Sequence, residues 1–284
     1  MVKLIKKTSE LILERNSEKE VIGFVPTMGN LHQGHISLLE RALSEYKTVY
    51  FSIFVNPKQF GPNEDFNRYP RTLENDIELI KTLTGKFHDS KVILYAPENP
   101  LEVFPENQTQ TISVPELSTT LEGDLRPGHF DGVATVVYRL FEIIRPKTAY
   151  FGLKDYQQYL VIRQMVKDLC LPIKIQGMPI IREASGLALS SRNQYLSPEE
   201  KTKSLILYST LNNIQNILQG KRMNLTKVRE FIDESLKDPH WNYLELRDSE
   251  TFSKDISSSH NISIMAVYQM GSTRLLDNFQ LEIE

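Results

Sequence analysis

The sequence predicts an α/β protein in which a parallel sheet with helices on both faces is followed by a smaller α+β domain. Three observations lead there. Apolar runs of strand type alternate with segments of helical period through the first 180 residues, the pattern of βαβ units. Beyond residue 180 two helical segments precede three strand-like ones. The length of 284 residues suits about two domains. The expected domains are residues 1–180, with a Rossmann-like parallel sheet, and residues 181–284, a smaller α+β domain of two helices and an antiparallel sheet.

Val21 to Val25 is a short strand of buried type, followed by a Gly/His loop and a helix with Ile36, Leu39, Ala42 and Leu43 on one side. Thr48 to Val55 is β-branched and aromatic, a second strand. Leu73, Ile77, Ile80 and Leu83 share a helical face, and Lys91 to Tyr95 returns to strand. Val133, Val136, Val137, Leu140, Phe141 and Ile144 carry the spacing of an amphipathic helix. A strand around Thr148 to Phe151, a helix from Asp155 to Leu169 and a strand from Ile173 to Gln176 complete the first domain. Ser197-Pro198-Glu199-Glu200 is a capping box with proline at the first helical position. The helix it starts runs through Leu205, Leu211, Ile214 and Leu218 and stops at Gly220. A second helix carries Val228, Phe231, Ile232 and Leu236, and Trp241 to Arg247, Ile262 to Tyr268 and Ser272 to Asn278 are the closing strands.

Thirty-three basic against 36 acidic side chains give a net charge of −3. A long nucleic-acid backbone is therefore not the expected partner, and any anion site is local. One cysteine, Cys170, excludes an internal disulfide framework and a cysteine-based zinc site. No apolar stretch reaches the roughly 18–20 residues that span a bilayer, and the basic N-terminus lacks a long apolar run. The expectation is a cytoplasmic protein without a membrane partner.

In an open parallel sheet, ligands bind beyond the carboxyl ends of the strands. The first such loop, Pro26 to His35 (PTMGNLHQGH), lacks the dinucleotide and P-loop fingerprints. It puts His32 and His35 on one side of a helix N-terminus, where free N–H groups and the dipole favour a phosphate. Two imidazoles there can donate to a phosphoryl group as its charge develops. The competing reading makes one histidine a cap and the other a surface residue. For zinc, no third ligand stands at metal spacing.

The His-x-Gly-His arrangement resembles the nucleotidyltransferase superfamily, and its neighbours sharpen the resemblance. Pro26 to His35, Phe54 to Phe60 (FVNPKQF), Tyr69 to Thr72 (YPRT), Leu121 to Gly123 with Arg126 to Phe130 (RPGHF), Lys154 to Gln158 (KDYQQ) and Gly186 to Asn193 (GLALSSRN) look like the pantothenate synthetase family. The resemblance implies an ATP-dependent ligase that condenses pantoate with β-alanine. Pantoate's carboxylate attacks the α-phosphorus to give pantoyl adenylate and pyrophosphate, and the amine then displaces AMP. It further implies Mg²⁺ with the ATP and a homodimer.

Residue by residue, it implies that His32 and His35 face the α- and β-phosphates, with His35 the proton donor, and that Lys154 is a fixed charge at the α-phosphate. Ser190, Ser191 and Arg192, after Leu189, match a second phosphate-binding loop. Gln59 and Gln158, with Met28, match the pantoate and β-alanine pocket. Backbone groups at Met28, Gly34, Gly152, Leu153, Lys154, Asp155 and Ile181 are expected around the nucleotide, and Asp76 matches a carboxylate near the metal. The segment Glu122 to Asp131 is expected to lid the site, bringing in Arg126 and His129 on closure; a packed structural loop is the alternative. Two departures stand out, Leu153 where the family commonly has Glu and Ser185 where it commonly has Asp. A nucleotidyltransferase with a phosphorylated acceptor would replace Gln59 and Gln158 by a basic cluster. An RNA-binding module would need an aromatic and basic stripe that this chain lacks.

Overall fold

The computed structural model describes residues 1–62, 64–106, 110–219 and 224–283. Strands β1 (Val2–Ile5), β2 (Gly23–Thr27), β3 (Thr48–Ile53), β4 (Lys91–Tyr95), β5 (Thr148–Gly152) and β6 (Lys174–Met178) form one parallel sheet in the order β1-β4-β3-β2-β5-β6. Between them run α1 (Thr8–Ser17), α2 (Gln33–Glu45), α3 (Leu73–Thr84), the single turns α4 (Pro100–Val103), α5 (Pro115–Ser118) and α6 (Glu122–Leu125), then α7 (His129–Ile144) and α8 (Tyr156–Asp168).

Alternation along each strand sends neighbouring side chains to opposite faces. Phe24, Tyr50, Ile93 and Tyr95 join the core beneath α1, α7 and α8, whereas Val25, Val49, Phe51, Val92 and Leu94 join the core beneath α2 and α3. Covering both faces is what makes these strands read as near-continuous apolar runs. The six apolar positions that marked α7 in the sequence are all buried. Strand β2 pairs with β3 on one side and β5 on the other, so the strand order reverses there. The loops after β2 and β5 thus leave the sheet at its switch point, where α/β sheets bind ligands.

β1 and α1 have no counterpart in the sequence reading. β1 is four residues at the sheet edge with half its side chains in solvent, and α1 fully buries only Leu11, so neither shows a clean period.

The chain forms two compact units: residues 1–153 with 157–179, and residues 154–156 with residue 180 onward. The small excursion at 154–156 is a feature that a single boundary at 180 does not foresee. In the second unit β7 (Trp241–Asp248), β8 (Asn261–Met270) and β9 (Thr273–Glu282) make an antiparallel sheet in that order. Helices α9 (Pro198–Lys203), α10 (Leu205–Leu218) and α11 (Leu225–Ser235) accompany it. Leu207, Leu211, Ile214 and Leu218 pack with Val228, Leu244, Ile264 and Leu275 in one core.

The capping box forms as read: Glu200 N donates to Ser197 Oγ and Ser197 N to Glu200 Oε2. The single helix expected from there is instead two. The fully buried Ser204 turns its hydroxyl back onto the Lys201 carbonyl at 2.7 Å, and the backbone tightens at that point. The expected stop at Gly220 lies outside the described residues.

Candidate active site

The loop after β2 is folded by its own short side chains. Thr27 Oγ1 donates to the Ser52 carbonyl at 2.8 Å and accepts from Gly29 N at 3.2 Å. Gly29 (φ +82) and Asn30 (φ +50) then turn the chain through the left-handed region. A Cβ at Gly29 would lie 2.9 Å from the Ile53 side chain and 3.1 Å from an Asp76 oxygen, so both conformation and space require glycine. Asp76, on α3 and only 1% exposed, closes the turn. Its two oxygens accept from Asn30 N at 3.0 Å and from Leu31 N at 2.8 Å, and Thr72 Oγ1 donates to it at 3.1 Å.

His32 follows immediately as the N-cap of α2, its Nδ1 accepting from Gly34 N at 3.1 Å. His35 Nδ1 reaches back to accept from His32 N at 3.3 Å. The rings lie 4.1 Å apart, centroid to centroid. Both histidines are caps, where the competing reading had one cap and one surface residue, and capping decides their tautomer. A neutral ring that accepts at Nδ1 carries its hydrogen on Nε2, so each imidazole presents a donor beside the helix N-terminus. Gly34 sits 2.9 Å from the His32 ring at its Cβ position, which keeps the cap close.

Gln59 is buried in the 3₁₀ turn Pro57–Gln59, and its amide orientation is fixed at both ends. Asn56 Nδ2 donates to Gln59 Oε1 at 3.0 Å and also to the Gly132 carbonyl, while Gln59 Nε2 lies 3.0 Å from Met28 Sδ. The pairing brings two predicted pocket residues, Met28 and Gln59, together next to the histidine loop. Gln158 is half-buried on α8. Its neighbour Gln157 is buried and structural: it donates to the Leu117 and Thr120 carbonyls at 2.7 Å each and accepts from Glu122 N.

The segment 122–131 is here a packed element, the alternative to a free lid. Arg126 donates to both Glu64 oxygens at 2.6 Å and lies 3.0 Å from His129 Nε2, and His129 Nδ1 meets the Gln59 carbonyl at 2.8 Å. Burial would raise the Glu64 carboxyl, but Arg126 overrides it and holds the group below the usual carboxylate range. Cβ atoms at Gly123 and Gly132 would strike the Ser118 and Lys58 carbonyls at 2.0 and 2.2 Å.

In the second unit, Lys154 Nζ is 3.4 Å from Asp155 Oδ1, a loose pair. The loop from Ile181 doubles back on itself: Leu189 N donates to Ile181 O, Glu183 N to Leu187 O, and Arg182 bridges Ala188. Arg182 donates to both oxygens of Asp277 at 2.5 and 2.9 Å and to the Gly186 carbonyl at 3.1 Å. Its guanidinium also lies over Tyr208 and Phe279. Burial pushes the Asp277 carboxyl up against the pull of Arg182. Gly186 (φ +97) is where the loop turns, its Cβ position 2.4 Å from the Tyr208 ring. The half-buried Ser190, Ser191 and Arg192 follow, with Ser190 Oγ capping Arg192 N at 3.3 Å.

A sequence model of the pantoate-beta-alanine ligase family matches residues 1–280. Among curated relatives, the pantothenate synthetase of Desulfitobacterium hafniense is 45% identical over 99% of this chain and 98% of its own length. That of Aquifex aeolicus is 40% identical over 99% of each. The crystal structure of pantothenate synthetase from Thermus thermophilus superposes with a TM-score of 0.88 at 41% identity, covering 98% of both chains. A Francisella tularensis pantoate-beta-alanine ligase structure, complexed with β,γ-ATP and β-alanine, gives 0.77 at 34% identity, over 98% of this chain and 97% of that one.

The chain belongs to the pantoate-beta-alanine ligase family.

Two positions singled out in the sequence, Leu153 and Asp76, take definite places in the structure. Leu153, just past β5, packs on the backbone of β6: a Cβ at Gly177 would be 2.6 Å from its side chain. Leu153 thus makes an apolar contact within the first unit. Asp76, expected near the metal, is enclosed in this structure, and each of its oxygens accepts from a loop N–H group. Its spacing on α3 carried no hint of this, because the groups it holds are over 40 positions away. Asn56, Arg182 and Asp277 were also missed, for the same reason.

Proposed function

We propose that the chain joins pantoate to β-alanine at the cost of ATP through a pantoyl adenylate. In the first step a pantoate carboxylate oxygen bonds to the α-phosphorus and the bond to pyrophosphate breaks. In the second the β-alanine amine bonds to the acyl carbon and AMP leaves. The observation that carries this reading is the capped histidine pair: two Nε2–H donors preset at a helix N-terminus, on a loop held by a buried carboxylate. Donors fixed before the reaction need no reorganisation as charge grows on the phosphate oxygens.

In the same reading Lys154 supplies fixed positive charge, Ser190, Ser191 and Arg192 hold the outer phosphates, and Gln59 and Gln158 bind pantoate's hydroxyls and carboxylate. Residues 1–180 carry the nucleotide and pantoate pocket and residues 181–284 act as a lid. The protein is cytoplasmic and a homodimer, with no nucleic-acid or membrane partner; no helix among the described residues is long and apolar enough to cross a membrane. Magnesium accompanies the nucleotide. Among the described residues no three His, Cys, Asp or Glu side chains gather as a cation cage. In this reading the ion is held mainly by ATP phosphates and water, with Asp76, which also holds the histidine loop, as the nearby carboxylate.

Pyrophosphate release from ATP and Mg²⁺ tests the reading. Release that requires pantoate, with AMP and pantothenate formed only when β-alanine is added, is expected. His35→Ala is expected to slow pyrophosphate release by roughly 10²–10³-fold. A folded, ATP-binding sample that gives no pantoate-dependent pyrophosphate would sink the substrate assignment and bring forward a nucleotidyltransferase with another acceptor.

A further inference from the structure

The turn Lys154–Tyr156 packs with the C-terminal unit, and two hydrogen bonds hold it there. Asn278 Nδ2 donates to the Lys154 carbonyl at 2.8 Å, and the Tyr156 hydroxyl donates to the Ser249 carbonyl at 2.6 Å. Between these anchors runs a polar ladder. Gln280 Nε2 donates to Asn278 Oδ1 at 2.9 Å, Ser263 Oγ donates to Gln280 Oε1 at 2.5 Å, and Ser249 Oγ lies 2.8 Å from Ser263 Oγ. Asn278 and Gln280, two apart on β9, share a face of the sheet, and Ser263 is the cross-strand partner of Gln280. The ladder and the turn close into a ring.

The direction of every bond in the ladder follows from one end. A backbone carbonyl only accepts, so Asn278 must show Lys154 its Nδ2 and keep Oδ1 for Gln280. Gln280 must then offer Nε2 and receive the hydroxyl on Oε1. Asn278 is 1% exposed, and a buried amide is tolerated only when paired. The Lys154 ammonium, by contrast, is held loosely by Asp155, so its aim depends on where the backbone is pinned.

We propose that Asn278 is a positioning residue for the adenylation step, fixing the Lys154 carbonyl and with it the direction in which the lysine leaves the turn. The inference rests on Lys154 acting as the fixed charge at the α-phosphate. It is tested by pantoate-dependent pyrophosphate release in the full-length protein. Asn278→Ala is expected to lower kcat about 10- to 100-fold while the KM for pantoate changes less than about threefold. Tyr156→Phe, which removes the second anchor, is expected to lower kcat a few-fold.

Asn278→Asp supplies a readout that a merely structural role would not move. Its carboxylate cannot donate to the Lys154 carbonyl, but its protonated form can. The ratio of its rate to the unaltered protein's should therefore rise as pH falls, whereas the Asn278→Ala ratio stays flat. The charged groups near this position are Arg182, Asp277 and Lys154.

Asn278→Ala at full kcat, with Lys154→Ala inactive, overturns the positioning role alone. Lys154→Ala at full kcat overturns the reading of Lys154 and this proposal with it. Should Asn278→Ala fail to fold, the pH ratio of Asn278→Asp and the rate of Tyr156→Phe decide. A flat ratio together with an unchanged rate overturns the proposal.

Discussion

The loop at 26–35 is held by a carboxylate that accepts from the loop's own N–H groups, whereas the loop at 181–192 is held by an arginine that donates to a loop carbonyl and to a buried carboxylate. In the first case one charged side chain works directly on backbone. In the second the charge on the loop is answered by another side chain, and two rings cover it. The contrast teaches that similar fixing of a loop can be irreplaceable or replaceable. Backbone donors cannot be mutated away with their acceptor, but an ion pair can be removed whole.

The largest effect expected from this contrast is at Asp76. Asp76→Ala leaves two loop N–H groups without their acceptor and should cost roughly 3–5 kcal/mol in urea unfolding. Asp76→Asn should recover only part, since its amide nitrogen cannot accept. A loss below about 1 kcal/mol would show that water replaces the carboxylate and that the loop is not held as described.

Next comes the pair in the second unit. Arg182→Met alone strands the buried Asp277 carboxylate and should cost about 3 kcal/mol, while adding Asp277→Leu should restore most of it. If the double variant is no more stable than the single one, the two loops are held alike after all.

Gly186→Ala should cost about 1–3 kcal/mol, from the left-handed backbone and the displaced Tyr208 ring. Tyr208→Leu in the same chain should relieve part of that loss, and thermal unfolding of the two variants checks it.

The smallest effect concerns acid. Glu64 is held below its ordinary 4.5 because Arg126 outweighs burial. Its contribution is therefore full above about 4.5 and is lost as pH falls through the lowered folded-state value. The pair is partly exposed, so Glu64→Gln should remove only about 1 kcal/mol at neutral pH and nothing in strong acid. Identical acid limbs for the two proteins would count against this.

Much of this architecture is legible in the chain. The strands at 48, 91 and 148 and helix α7 show their period because both faces of the sheet, or one face of the helix, are buried. The His32–His35 spacing places both rings at the helix N-terminus, but that both of them cap it is seen only in the structure. What the sequence hides is tertiary. Asp76 looks like any helix acid until Asn30 and Leu31 are brought to it, and Asn278 reads as the end of a strand until Lys154 arrives. Ser204, between Lys203 and Leu205, breaks a helix that the hydrophobic period alone would continue.

The capping of the histidines has a further consequence, one of proton ownership. Each ring keeps its lone pair inside the loop and its hydrogen on the other nitrogen. Such a ring can lend a hydrogen bond at once, but it takes up a proton only by releasing the backbone N–H held at Nδ1. On the proposed reaction, β-alanine must become a free amine before it attacks. A histidine that received its proton would therefore give up its cap in doing so.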